Sequence, residues 1–128
     1  ANIEDTLNIN IPQFYYLPEE MTYQNYSIDS EAQMAIMQYS YNGNALYLLV
    51  FSNQKNASAI AVSGTGKEIQ EVHSNLVENV DAILWEILEQ GDEQATYVLQ
   101  WEYKNSYYEL SGKIDQDEMV NIAENILY

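Results

Sequence analysis

Thr96-Tyr97-Val98-Leu99-Gln100-Trp101-Glu102-Tyr103-Lys104-Asn105-Ser106-Tyr107-Tyr108-Glu109-Leu110-Ser111-Gly112, followed after Lys113 and Ile114 by Asp115-Gln116-Asp117-Glu118-Met119-Val120-Asn121-Ile122-Ala123-Glu124-Asn125-Ile126, carries the fold. Thr96 to Tyr103 alternates as a half-buried strand, with Tyr97, Leu99, Trp101 and Tyr103 on one side and Thr96, Val98, Gln100 and Glu102 on the other. Lys104, Asn105 and Ser106 supply a turn, Asn tolerating the left-handed backbone of tight hairpins. Tyr107 to Leu110 returns as the partner strand, which Ser111 and Gly112 end. Asp115 and Glu118 have the spacing of a capping box, and Ile114 and Met119 that of a hydrophobic staple. Met119, Ile122, Ala123 and Ile126 then form one helical stripe, widened by Val120 and Leu127. The nearest apolar surface is the hairpin, so the helix is expected to lie across an antiparallel sheet, with Trp101 buried beneath Ile122 and Ile126.

Upstream, Gln13 to Leu17 reads as a strand ending at Pro18, and Thr22 to Ile28 as another. Ser30-Glu31-Ala32-Gln33 fits a helix-opening capping box, yet Met34 to Tyr39 alternates as a strand. Asn42-Gly43 decides in favour of strands, because that dipeptide between apolar runs is the strongest short hairpin signal. Ala45 to Phe51 is apolar on both faces and is expected to be a central strand. Ser52 to Lys67 is a polar excursion read as a mobile loop. Glu68 to His73 and Leu76 to Val80 read as strands around Ser74-Asn75, Ala82 to Leu88 as a longer one, and Gly91-Asp92 as a turn. The fold class is therefore α+β: a meandering antiparallel sheet of about six to eight strands with a C-terminal helix packed on one face. No repeat or linker divides the chain, and residues 1–128 form a single domain.

The pattern Trp101-x-x-x-x-x-Tyr107-Tyr108-x-Leu110-Ser111-Gly112, with Asp115-x-x-Glu118 and Ile122-Ala123-Glu124-x-Ile126, resembles the C-terminal signature of an uncharacterised domain family of low-GC Gram-positive bacteria, domain of unknown function 4367. Tyr16-Leu17-Pro18-Glu19-Glu20-Met21 stands where that family tends to carry a Tyr-Leu-Pro-Glu-like segment, so the resemblance covers most of the chain. It implies an extracytoplasmic domain: in several relatives the outer part of a membrane-anchored regulator resembling an anti-sigma factor, in others part of a lipoprotein. Asn125 departs from the Ser often found in relatives, a change with no chemical consequence. These motifs are structural and imply no activity.

Twenty acids against four lysines and no arginine give a net charge of −16. Nucleic acid and anionic lipid surfaces bind through Lys and Arg, and such a body repels them. A cationic peptide, a basic protein face or divalent cations are compatible partners, while the plain alternative is an acidic surface that keeps the domain soluble. With no cysteine there is no disulfide, thiolate nucleophile or thiolate metal site. No apolar run approaches the roughly 18 to 20 residues of a membrane span, and no signal peptide opens the chain. An opening at Ala1-Asn2-Ile3-Glu4 without methionine is what a segment cut from behind an anchor shows.

Candidate sites dissolve one by one. Ser63-Gly64-Thr65-Gly66-Lys67-Glu68 lacks the leading Gly and the Ser or Thr of a phosphate loop. His73 is the only histidine, no Gly-x-Ser-x-Gly elbow is present, and a lone strand histidine is the simpler reading. Asp115-x-Asp117-x-Met119 lacks the later ligands of a calcium loop. The pairs Glu19-Glu20 and Asp92-Glu93 point apart on a strand or turn, whereas glycoside hydrolysis needs carboxyls facing across a cleft. Asn25-Tyr26-Ser27 and Asn56-Ala57-Ser58 match a glycosylation pattern that is idle in a bacterial chain. Twelve tyrosines remain, and Tyr103, Tyr107 and Tyr108 are the candidate ligand-binding residues, since rings on a sheet face stack on sugars or grip an extended peptide. Cross-strand packing is their plain alternative.

The expected protein is a noncatalytic extracytoplasmic interaction or sensing domain of a membrane-anchored regulator or lipoprotein. It has a protein partner, no cofactor, no catalytic or metal residues and no nucleic acid ligand, is tethered near a membrane in the full-length chain, and is a monomer or weak oligomer. The alternative is a binding module for a cell-wall glycan or lipid that uses an aromatic sheet face or cleft.

Overall fold

The computed structural model describes residues 13–14, 16–31, 33–51, 66–74, 81–88, 90–103 and 106–127. The strands are β1 (Gln13–Phe14), β2 (Met21–Asp29), β3 (Met34–Tyr41), β4 (Asn44–Phe51), β5 (Gly66–His73), β6 (Asp81–Ile87), β7 (Thr96–Tyr103), β8 (Ser106–Gly112) and β9 (Ile126–Leu127), and the helix α1 spans Gln116–Glu124. Seven strands make one antiparallel sheet in the order β2-β3-β4-β8-β7-β6-β5, and β1 pairs with β9 in a second, two-stranded sheet. Two meanders thus meet at the β4–β8 seam, and β8 lies at the centre with three strands on either side.

The hairpins sit where the sequence places them. Tyr41 pairs with Asn44, and Asn42 and Gly43 both take positive φ, 48° and 83°, as a two-residue turn matched to strand twist requires. Ser30, Glu31 and Gln33 are turn residues and open no helix: Asp29 pairs with Met34, and the Asp29 carboxylate accepts the Glu31 N–H at 3.1 Å. Gly91 takes φ 93° in the turn before β7. Tyr103 pairs with Ser106 across the decisive hairpin.

One face of the sheet is the core. Ala35, Met37 and Tyr39 of β3, Leu46, Leu48 and Val50 of β4, Tyr108 and Leu110 of β8, Leu99 and Trp101 of β7, Ala82 and Leu84 of β6 and Val72 of β5 are buried in one cluster with Ile114, Met119, Ile122, Ala123 and Ile126. Trp101 is only 5% exposed, and Ile122 and Ile126 are fully buried, so the expected closure of helix over sheet holds. Trp101 also stacks on Tyr108, the residue directly opposite it, with centroids 5.1 Å apart and planes 9° apart.

Five expectations are corrected. Asp115 is the N-cap of α1 but makes no side-chain capping bond, and Glu118 accepts instead from the Tyr16 hydroxyl at 2.8 Å. Burial holds the Tyr41 hydroxyl up in pKa, and the neighbouring charge of Asp115 adds to it. Both acids are thus drawn to tyrosines rather than to the helix end. The helix stops at Glu124, and Ile126 fills the core from β9, because pairing with β1 satisfies backbone groups that another helical turn would have used. The strand read over Gln13 to Leu17 is two residues long. The β4 strand is interior, but only its Leu46, Leu48 and Val50 side is core, while Ala45 and Tyr47 are exposed. Within the stretch read as a loop, Gly66 and Lys67 belong to β5. The rest of that loop and the strand read over Leu76 to Val80 lie outside the described residues.

Gly112 is required for packing. A Cβ there would lie 2.5 Å from Leu46 Cγ and 3.1 Å from the Ala45 carbonyl oxygen, and Leu46 is fully buried and cannot retreat. Gly112→Ala is expected to cost about 1–3 kcal/mol, read as a lower urea midpoint.

Candidate functional site

The opposite face of the sheet has no helix over it among the described residues. It is organised by cross-strand rows. One runs Ile36, Leu49, Glu109, Gln100, Ile83 across five strands. A parallel one runs Gln38, Tyr47, Ser111, Val98, Trp85. Tyr47 is 42% exposed, Leu49, Ile36, Ile83 and Trp85 are half-buried, and Val98 is buried. Beside Tyr47 and Ser111 of the second row, Asn44, Thr96 and Lys113 also line an open hollow of about 300 Å³.

Carboxylates on this sheet are fastened by donors directly opposite. The Gln100 amide donates to Glu109 Oε1 at 2.9 Å and the Tyr107 hydroxyl donates to Glu102. On the core side, the Tyr97 hydroxyl donates to Glu86 Oε2 at 2.9 Å. Glu109 differs from Glu102 in its setting, since Glu102 is exposed and Glu109 lies on the central strand, half-buried between Leu49 and Gln100. Burial pushes the Glu109 carboxyl above its ordinary range, and the Gln100 hydrogen bond opposes that only in part. In the next row, Trp85 Nε1 is buried and has no hydrogen-bond partner among the described residues.

Tyr103, Tyr107 and Tyr108 do not form one aromatic surface. Alternation turns Tyr108 inward, where it is 3% exposed and stacked on Trp101, and Tyr103 packs against the same core. Tyr107 alone of the three points to the open face, half-buried and bound to Glu102. A hairpin with adjacent tyrosines must split them between faces.

His73 is exposed, with its Nδ1 in a short contact to Asp81, its cross-strand partner, and its Nε2 at 3.6 Å from Glu71 Oε1. These three side chains offer donors within 4.8 Å of one another, but the two carboxylates approach opposite ring nitrogens, which is the geometry of an ion triad rather than of convergent ligands. The hydrogen bond to Asp81, then its charge, raises the His73 pKa. With the folded value above the unfolded one, the triad's stabilisation is complete below about 6.5 and is lost as pH rises through the folded value. An NMR titration of the His73 ring is expected to give a midpoint above 6.5, moving down in Asp81→Asn; a midpoint that ignores Asp81→Asn would refute the pairing.

Sequence reasoning passed over Glu109. The signal was there, because Glu is depleted in strands and this one sits inside Tyr107-Tyr108-Glu109-Leu110.

An open antiparallel sheet closed on one side by a C-terminal helix, with the N-terminal Tyr16 tied to that helix, defines an α+β domain whose two signature segments meet in space. The chain belongs to the family described as Domain of unknown function (DUF4367), whose pattern matches residues 11–126. No curated protein and no solved structure matches it.

Proposed function

We propose that this is a noncatalytic protein-interaction domain held outside the cytoplasm, as the outer part of a membrane-anchored regulator resembling an anti-sigma factor or as part of a lipoprotein, and that it engages a basic partner. The observation that carries the reading is the open sheet face, where a row of half-buried apolar side chains holds the Glu109 carboxylate and the chain's net charge is −16. Apolar rows supply contact area, and the acids select a cationic surface and speed its approach. The extracytoplasmic placement rests on the family resemblance.

Two experiments test it. A reporter enzyme active only outside the cytoplasm, fused to the C-terminus of the full-length protein, is expected to be active. A photo-crosslinking residue at Tyr47 is expected to capture a partner in cells, whereas one at Asn121, exposed on the helix, is not. An inactive reporter overturns the placement, and equal capture from both positions overturns the choice of face.

A wall glycan or lipid is the second reading, favoured by Tyr47 at the rim of the hollow. Co-sedimentation with insoluble cell wall that is lost in Tyr47→Ala would select it.

A further inference from the structure

We infer that Glu109 is the recognition carboxylate of the open face, the seat for an arginine or lysine side chain projected by an extended segment of the basic partner. This inference rests on the interaction reading above and adds the residue and chemical group through which it works.

Glu109 is on β8, the central strand, and its row neighbours are Leu49 and Gln100, with Ile36 and Ile83 beyond them. Tyr107 and Ser111 flank it along the strand, facing the same way. This is the place in an open sheet where a β-branched or aromatic residue packs best and where an anion is least well hydrated. A carboxylate has about four acceptor sites. Among the described residues Glu109 has one partner, the neutral Gln100 amide. Lys67 is paired opposite Glu86, and Lys113, beyond the end of β8, lines the hollow with Tyr47 and Ser111, so neither belongs to the Glu109 row. The site therefore has the acceptor, the apolar collar and the partial desolvation that make a charge-assisted hydrogen bond strong, and among the described residues no cation is paired with it.

Glu102 and Glu71, both exposed on the same side, extend the anionic field around the seat. A second copy of this chain is a poor occupant, because each copy carries a net charge of −16.

The plain alternative is that Glu109 only keeps the open face soluble. The two are separated with the isotope-labelled domain, titrated by NMR with a synthetic peptide of alternating arginine and valine and with its glutamine-for-arginine counterpart. The arginine peptide is expected to shift the backbone amides of Leu49, Gln100 and Glu109, and the glutamine peptide is not. Glu109→Gln, which keeps the hydrogen bond to Gln100, is expected to weaken arginine-peptide binding about tenfold. Glu31→Gln, the same charge change in the exposed β2–β3 turn, is expected to weaken it less than about twofold.

Stability supplies an independent readout. The raised carboxyl pKa means that ionised Glu109 weighs against the folded state, an effect absent below the unfolded carboxyl pKa and complete above the folded one. Glu109→Gln is therefore expected to be more stable than the parent at neutral pH, with the difference vanishing in acid. A variant that is folded and more stable yet binds worse meets the inference. Equal losses in Glu109→Gln and Glu31→Gln, with shifts still on the open face, overturn it and leave the interaction reading standing. Shifts confined to other surfaces overturn both.

Discussion

Trp101→Ala is expected to lower the stability of the domain by about 3–5 kcal/mol, a large share of what a domain of this size possesses. The indole is 5% exposed, lies on β7 under α1, and stacks on Tyr108 of β8. Removing it takes away the transfer free energy of a large aromatic group, leaves a cavity between two layers that cannot both collapse, and forfeits an aromatic pair worth about 0.5–1.5 kcal/mol in its own right. Thermal unfolding is expected to fall by roughly 10–20 °C. Trp101→Phe keeps a ring against Tyr108 and is expected to recover more than half of the loss. Equal stability of Trp101→Ala and the parent would mean that the helix does not close over this strand.

Ile122→Ala comes next, at about 2–5 kcal/mol. Ile122 is fully buried on α1, in one core cluster with Met119, Ala123 and Ile126. The helix is short, nine residues, and such a helix is held by its packed stripe rather than by its own propensity. The urea midpoint is expected to drop with an unchanged slope, since the native state stays compact. Val120→Ala, one side of the stripe and only half-buried, is the contrast and is expected to cost less than about 1 kcal/mol. Similar losses at the two positions would show that α1 does not present the face that its sequence stripe defines.

Both experiments probe the part of the fold that was most legible beforehand. Alternation from Thr96 to Tyr103 and the stripe from Met119 to Ala123 are periodic, and periodicity is a local property that survives in a single sequence. Asn42-Gly43 was legible for the same reason, since few other dipeptides accept positive φ at both positions. The misreadings cluster where a local motif competes with a distant partner. Asp115 and Glu118 have the spacing of a capping box, but Tyr16 lies 102 residues before Glu118 in the chain and its hydroxyl takes that carboxylate. Ile126 continues the helical stripe in sequence, and β1, far upstream, takes it into a strand.

The candidate site followed the same division. The tyrosines were visible as a composition, and pairing sent Tyr107 and Tyr108 to opposite faces, with Tyr108 spent on the core. Glu109 was visible as an acid in a strand, but its place at the centre of the open face depends on β4 and β8 meeting, a pairing between segments that no turn connects.

By itself the sequence determined the α+β class, the strands flanking each short hairpin, the helix with its buried stripe, and a strongly anionic character, with a net charge of −16. Those follow from side-chain period, turn chemistry and charge, all of which act over a few residues or over the chain as a sum. Only the tertiary structure decided the strand order, the fate of the helix-capping acids, which tyrosines are core, and which carboxylate stands in the middle of an apolar row. These depend on contacts between residues far apart in the chain, whose energies are set by burial and by the partner that happens to lie opposite.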